Sequence, residues 1–283
     1  MKPIVYVRRL GRIPYKKALD IQLVLFEDLK SHVSSITTSS TALETNQGGR
    51  FLKSSPQHRS ALFRDYRSTY FEPVNSLLLL EHNPVYTVGI RSQPYGHDYV
   101  SKLQEKLKDN NLNAEFVSTN RGGLITFHGP GQLVAYPIIY LGDFKQSVPK
   151  RSVKTYVKNL ENTIIDTLAM VGLKNAHTVP EYPGVWLGGG DRKIAFIGIS
   201  CKRHVTMHGI SINCDCDLSW FDHIVSCGIE NKAITSIRQE FMVGDQFRNN
   251  SNNTGCPNLG VEHIANAFCS SFAQHFDCEL REG

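Results

Sequence analysis

The stretch VWLGGGDRKIAFIGI, residues 185–199, decides the architecture. Val185–Leu187 and Ile194–Ile199 are apolar, β-prone runs held apart by a Gly-Gly-Gly-Asp turn. That pattern reads as a hairpin, which makes the sheet at least partly antiparallel. Working outward, Ile210–Cys214 is a further strand, and Leu133–Ile139 and Leu124–Phe127 are two more, separated by a His-Gly-Pro-Gly turn. Val153, Tyr156, Val157, Leu160, Ile164, Leu168 and Val171 recur at helical spacing, with Gly172 as the stop. Val261, Ile264, Phe268, Phe272 and Phe276 form the apolar face of a closing helix.

The amino-terminal part gives a short strand at Ile4–Val7. After Pro14 comes an amphipathic helix whose buried face is Ala18, Ile21, Leu25 and Leu29. Asn75–His82 and Pro84–Gly89 are extended, Val100, Leu103 and Leu107 mark a short helix, and Leu218–Val225 another. Ser236 and Gln239 have capping-box spacing. Helices and hairpins without regular strand–helix alternation predict an α/β or α+β fold on a mixed, largely antiparallel sheet. One catalytic domain over residues 1–283 is expected, carrying a flexible Ser/Thr-rich insertion at about 34–60.

Composition bounds the function classes. The chain has 283 residues, 41% hydrophobic and 20% charged, with a formal net charge of +5. That charge suits acidic protein partners and falls short of a nucleic-acid-binding signature. No apolar run has the length of a membrane span. Seven cysteines, an odd number without an apolar leader, fit a reducing compartment better than a disulfide scaffold. Six Lys/Arg and no acid in the first seventeen residues have the bias of an organelle-import segment, without its Ser-rich character.

Three segments carry the chemistry. Cys227-Gly228 lies where a predicted helix stops, so a tight turn there would expose the sulfur and aim backbone N–H groups at an anion. A lone cysteine is also commonly an inert core residue, and the local sequence leaves both readings open. Lys193 stands between the hairpin turn and an apolar strand; it could snorkel to solvent, pair with a thiolate, or move a proton. Residues 121–132, RGGLITFHGPGQ, lack the Lys-Ser/Thr ending of a nucleotide-binding loop. Their glycines would instead let a narrow apolar substrate lie against the backbone, with Arg121 at its mouth and His128 bonding there or capping the turn.

Two rivals share the sequence. Cys201, His204, His208, Cys214 and Cys216 are potential zinc ligands, with only partly suitable spacing. Eleven histidines also leave room for a Cys/His hydrolase.

At these motifs the chain resembles the lipoyl(octanoyl) transferase family, octanoyl-acyl-carrier-protein:protein acyltransferases, in their mitochondrial form. The resemblance runs through LGRIPYKKAL (10–19), EHNPVYTVG (81–89), residues 121–132, GVWL (184–187), RKIAFIG (192–198), HGISIN (208–213), DLSWF (217–221), Cys227-Gly228 and Thr235-Ser236. It implies the α/β catalytic domain shared with biotin and lipoate protein ligases. It makes Cys227 the acyl-thioester nucleophile and Lys193 its activating partner. It lines the acyl site with Arg121, Gly122, Gly123, Leu124, Ile125, Thr126, Phe127, His128, Phe196, Ile197, Gly198, Gly209, Ile210 and Ser211.

The implied donor is octanoyl-acyl carrier protein. The implied acceptors are lipoyl domains of 2-oxoacid dehydrogenase complexes and the glycine cleavage H protein, and the implied compartment is the mitochondrion. No cofactor and no metal are implied. An ATP-using lipoate or biotin ligase is the alternative within the same fold. Two departures from the family pattern are Ser226, where a proline commonly precedes the nucleophile, and the longer insertion after Val33.

Overall fold

The computed structural model describes residues 1–41, 73–110, 112–225, 232–243 and 260–283. In chain order the strands are β1 (Ile4–Ile13), β2 (Ser76–His82), β3 (Val85–Val88), β4 (Glu115–Ser118), β5 (Ile125–His128) and β6 (Gln132–Ile138). They continue with β7 (His177–Val179), β8 (Tyr182–Leu187), β9 (Arg192–Lys202), β10 (Val205–Asn213), β11 (Ala233–Ile234) and β12 (Glu279–Glu282). The helices are α1 (Tyr15–Thr41), α2 (His97–Asp109), α3 (Val153–Met170), α4 (Ile237–Val243) and α5 (Val261–Phe276). A 3₁₀ turn spans Leu218–His223.

The main sheet has the order β12-β1-β2-β6-β10-β9-β8-β7, with β11 paired to β9. β12-β1, β1-β2 and β11-β9 are parallel, and the remaining neighbours are antiparallel. A second sheet, β4-β3-β5, lies beside it. The hairpin read from residues 185–199 is β8-β9, turning at Gly188–Gly190. β5 and β6 adjoin in sequence but belong to different sheets, so His-Gly-Pro-Gly carries the chain from one sheet to the other.

Alternation along the strands sorts side chains onto two faces. On β6, Leu133 and Ala135 join the core formed with α3 and α5, while Val134, Tyr136 and Ile138 join the core formed with α1. The α1 face uses Ala18, Ile21, Leu25 and Leu29, all buried, at the spacing the sequence predicts. α5 buries Ile264, Phe268, Phe272 and Phe276. The small sheet has its own core with Leu103 and Leu107 of α2 and Trp220 and Phe221 of the 3₁₀ turn.

Gln239 N donates to Ser236 Oγ (3.1 Å), the cap that the sequence implies, and Thr155 N donates to Ser152 Oγ (3.2 Å), a cap that was not read from the sequence. β1 is longer than the Ile4–Val7 expected, continuing past a register shift between Arg9 and Gly11. An insertion was expected from about residue 34, but α1 continues through Thr41. The rest of that stretch lies outside the described residues. No described helix is long and apolar enough to cross a membrane.

Candidate active site

A slot lies where the α1 face of the main sheet meets the small sheet. Its walls are Tyr15, Arg121, Thr126, His128, Tyr136, Phe196, Ile197, Gly198, His208, Gly209, Ile210 and Ser211, and the space they enclose is narrow. Strand pairing orders one wall. Phe196 faces Ser211, Ile197 faces Ile210, Gly198 faces Gly209 and Ile199 faces His208 across β9-β10. A Cβ on Gly209 would stand 2.1 Å from the Ala135 carbonyl oxygen, and one on Gly198 would stand 3.1 Å from Arg121 Cδ. Bare backbone at this cross-strand pair is therefore a condition of packing.

β5 supplies the opposite wall by alternation. Thr126 and His128 face the slot, while Ile125 and Phe127 face the small-sheet core. Gly122, Gly123 and Leu124 stand outside the slot and wrap Arg121, whose guanidinium donates to the carbonyls of Gly122 (3.0 Å), Leu124 (2.9 Å) and Thr87 (2.6 Å) and to Thr87 Oγ1 (2.8 Å). Arg121, expected at the mouth of the slot, lines it and braces its wall. Nine of the fourteen lining residues expected from the resemblance meet at the slot, and Gly122, Gly123, Leu124, Ile125 and Phe127 do not. The room-making glycines are Gly198 and Gly209 rather than those of residues 121–132.

Tyr15, Tyr136 and His208 complete the slot and were not read as lining residues. His208 has φ +61, and its ring makes an edge contact with Tyr136. His82 Nε2 hydrogen-bonds the Tyr136 hydroxyl (2.8 Å), His82 Nδ1 the Ile13 carbonyl (3.1 Å), and the Tyr15 ring packs 4.9 Å from His82. Burial is the leading cause that pushes His82 and His208 down to about 4 and His128 to about 3, so all three are neutral at pH 7. Among the described residues, Thr126 Oγ1, Ser211 Oγ and His208 Nδ1 are buried in the slot walls without a hydrogen-bond partner.

Lys193 is only 2% exposed. Its ammonium donates to the Pro183 carbonyl (2.8 Å) and lies 5.0 Å and 5.1 Å from the ring centres of Trp186 and Phe196. Phe196 is shared with the slot, which places the amine beside the slot wall. Gly184, at φ +120, permits this approach, since a Cβ there would stand 2.9 Å from Lys193 Cε. Glu161 of α3 accepts from Gly184 N (3.2 Å). Its carboxyl is raised by burial and pulled part of the way back by that bond and by Lys193. Nothing local in the sequence marks Glu161 as a neighbour of the lysine, because it reads as one polar position on a helix.

A buried relay joins the motifs. His128 Nδ1 bonds Gln132 Oε1 (2.6 Å), Gln132 Nε2 donates to Asn213 Oδ1 (2.8 Å), Asn213 Nδ2 donates to the Thr235 carbonyl (2.9 Å), and Thr235 N donates to the Lys193 carbonyl (2.9 Å). Cys227 and Gly228 lie outside the described residues. On one side of them Phe221 stacks on Phe196 (5.5 Å); on the other Ile234 pairs with Lys193.

The zinc arrangement does not form. Among the described residues no group of three or more His, Cys, Asp or Glu could hold a metal ion. Cys214 sits in the α3–α5 core and His208 in the slot, so the sheet separates them. Burial raises the thiols of all five described cysteines, Cys201, Cys214, Cys216, Cys269 and Cys278. None of the five is poised as a thiolate.

The mixed sheet with helices on its faces is an α/β domain, and the chain belongs to the lipoyl protein ligase A/B catalytic domain family, whose profile matches residues 60–254. It is 52% identical over 166 residues to a mitochondrial octanoyl-acyl-carrier-protein:protein N-octanoyltransferase of Danio rerio, covering 59% of this chain and 67% of that one. It is 38% identical over 238 residues to the protein of that name from Xenopus tropicalis, covering 84% and 79%. A solved bi-partite lipoate protein ligase of Thermoplasma acidophilum superposes with a TM-score of 0.57 at 12% identity, over 99% of this chain and 87% of that one. At that identity the likeness speaks to the fold alone.

Proposed function

We propose that this protein moves an octanoyl group from octanoyl-acyl carrier protein to one lysine of an apo lipoyl domain through a thioester on Cys227. The reaction class is octanoyltransferase, the acceptor class is the lipoyl domain, and the compartment is the mitochondrion. The observation that carries the reading is Lys193: a buried amine held beside Phe196, with the chain returning to pair with it at Ile234, seven residues after Cys227.

In the first step the Cys227 sulfur attacks the donor thioester carbonyl, and the carrier thiol leaves with a proton. In the second, the acceptor amine attacks the enzyme thioester; the amide forms, the amine loses a proton and the Cys227 thiol is restored. Lys193 serves as ion-pair partner of the thiolate or as the group that accepts and returns the proton. Thioester exchange is close to neutral and amide formation is downhill, so the two steps need no nucleotide to drive them. The acyl chain lies in the slot, where burying about seven methylene and methyl groups contributes roughly 5–6 kcal/mol before ordering costs. The acceptors are the lipoyl domains of 2-oxoacid dehydrogenase complexes and the glycine cleavage H protein, and the net charge of +5 speeds encounter with acidic partners.

Intact mass after incubation with octanoyl-carrier protein, without nucleotide, tests the scheme. The expected result is one octanoyl adduct that is absent in Cys227→Ala; an adduct persisting in that variant sinks the nucleophile assignment. Lys193→Met should slow transfer by about 10²–10⁴-fold, read by single-turnover kinetics. A near-wild-type rate would make the lysine a bystander.

A further inference from the structure

Along β9-β10, the wall order runs from Phe196, which touches Lys193, through Gly198 and Gly209 to His208. Remote from the lysine along this wall is His208, 1% exposed, with its ring against Tyr136; Tyr15 lines the same slot beside His82. Each is fixed from behind. The Tyr136 hydroxyl is tied to His82 (2.8 Å), Tyr15 packs on the same imidazole (4.9 Å), and His208 Nε2 bonds Asn120 Oδ1 (2.6 Å). His208 holds a left-handed backbone conformation, φ +61, which disfavours any residue with a Cβ. Strict alternation would send its side chain to the face occupied by Ile210 and Ile212, which pack with α3 and α5. The ring instead lies against Tyr136 in the slot. What this backbone angle achieves here is to turn the imidazole into the slot, where it packs on Tyr136 and bonds Asn120.

We infer that His208, backed by Tyr136 and Tyr15, is the blind end of the acyl slot and sets its chain-length limit. This rests on the acyltransferase reading and adds its specificity: saturated chains of medium length fit between Lys193 and the imidazole, and longer ones meet a wall that its hydrogen bonds keep from swinging aside.

The test is binding of hexanoate, octanoate, decanoate and dodecanoate to the full-length protein, followed by calorimetry. With a blind end, affinity rises about fourfold per methylene from hexanoate to octanoate, and dodecanoate binds no tighter than octanoate. Dodecanoate binding tighter than octanoate overturns the inference. His208→Gly suits the backbone angle and removes the wall, so its dodecanoate-to-octanoate affinity ratio should rise at least tenfold. A soluble, folded variant with an unchanged ratio also overturns the inference, and if the variant does not fold the wild-type series decides alone. Transfer of octanoyl by the wild-type protein is scored separately. Absence of transfer with a sharp chain-length cut-off refutes the acyltransferase reading and leaves the blind end standing.

Discussion

The two faces of the main sheet are built on opposite principles. The face under α3 and α5 is dry: Leu160, Ile164, Leu168, Phe268, Phe272 and Phe276 are fully buried against Leu133, Ile194 and Ile212. The face toward α1 and the small sheet buries Arg121, three histidines, Gln132 and Asn213, and it leaves a slot unfilled. Area burial and close packing stabilise the first face. Hydrogen bonds to Arg121, Gln132 and Asn213 and neutral imidazoles offset part of the cost of the second, while Thr126 Oγ1, Ser211 Oγ and His208 Nδ1 stay buried without a partner. The difference teaches where stability and function have been separated, because a ligand slot needs space and polar atoms that a close-packed core excludes.

The sharpest way to break the comparison is acid. Native His82, His128 and His208 stay neutral down to pH 3–4, while the unfolded chain protonates its histidines near 6.5. Between those values the unfolded state binds more protons, so stability present above pH 6.5 is lost as pH falls, by up to about 4 kcal/mol per pH unit for three such groups. Thermal melting from pH 7.5 to 5 should show the fall beginning near 6.5. His82→Leu should flatten it by about a third, and a flat profile in the wild type would mean these imidazoles are not held neutral.

Next in size is the dry face. Phe272→Ala removes a fully buried ring stacked on Phe276 (4.2 Å) and should cost about 3–5 kcal/mol in denaturant unfolding. Octanoyl transfer per folded molecule should stay unchanged; a large fall in that rate would show that the faces are not independent.

The smallest effect probes the relay. Asn213→Ala deprives Gln132 Nε2 and the Thr235 carbonyl of partners and should cost about 1–3 kcal/mol. Because Thr235 N pins Lys193, kcat should fall with KM for the donor little changed, and Asn213→Asp should recover part of the loss at the Gln132 side. A change confined to KM would assign Asn213 to substrate binding.

Much of the architecture was legible because it is periodic. The α1, α3 and α5 faces follow from 3.6-residue spacing, and β8-β9 from apolar runs flanking a glycine turn. β4, β7, β11 and β12 escaped because they are short and carry few apolar residues, and their places depend on the neighbours they pair with. The site divides in the same way. Lys193 and nine slot-lining residues stand in motifs the resemblance marks, whereas Tyr136 and Glu161 carry no local mark, and Tyr15, though inside the 10–19 stretch, joins the slot only across the fold.

By itself, then, the sequence determined the layers of this protein, the chemistry in its motifs and the family they define, since these depend on residue type and on spacing along the chain. Tertiary structure alone decided that β5 and β6 part to separate sheets and that Gly198 meets Gly209. It also decided that Arg121 braces a wall and that His208 turns into the slot. Those outcomes are set by register between distant strands and by one left-handed backbone angle, which only the assembled sheet imposes.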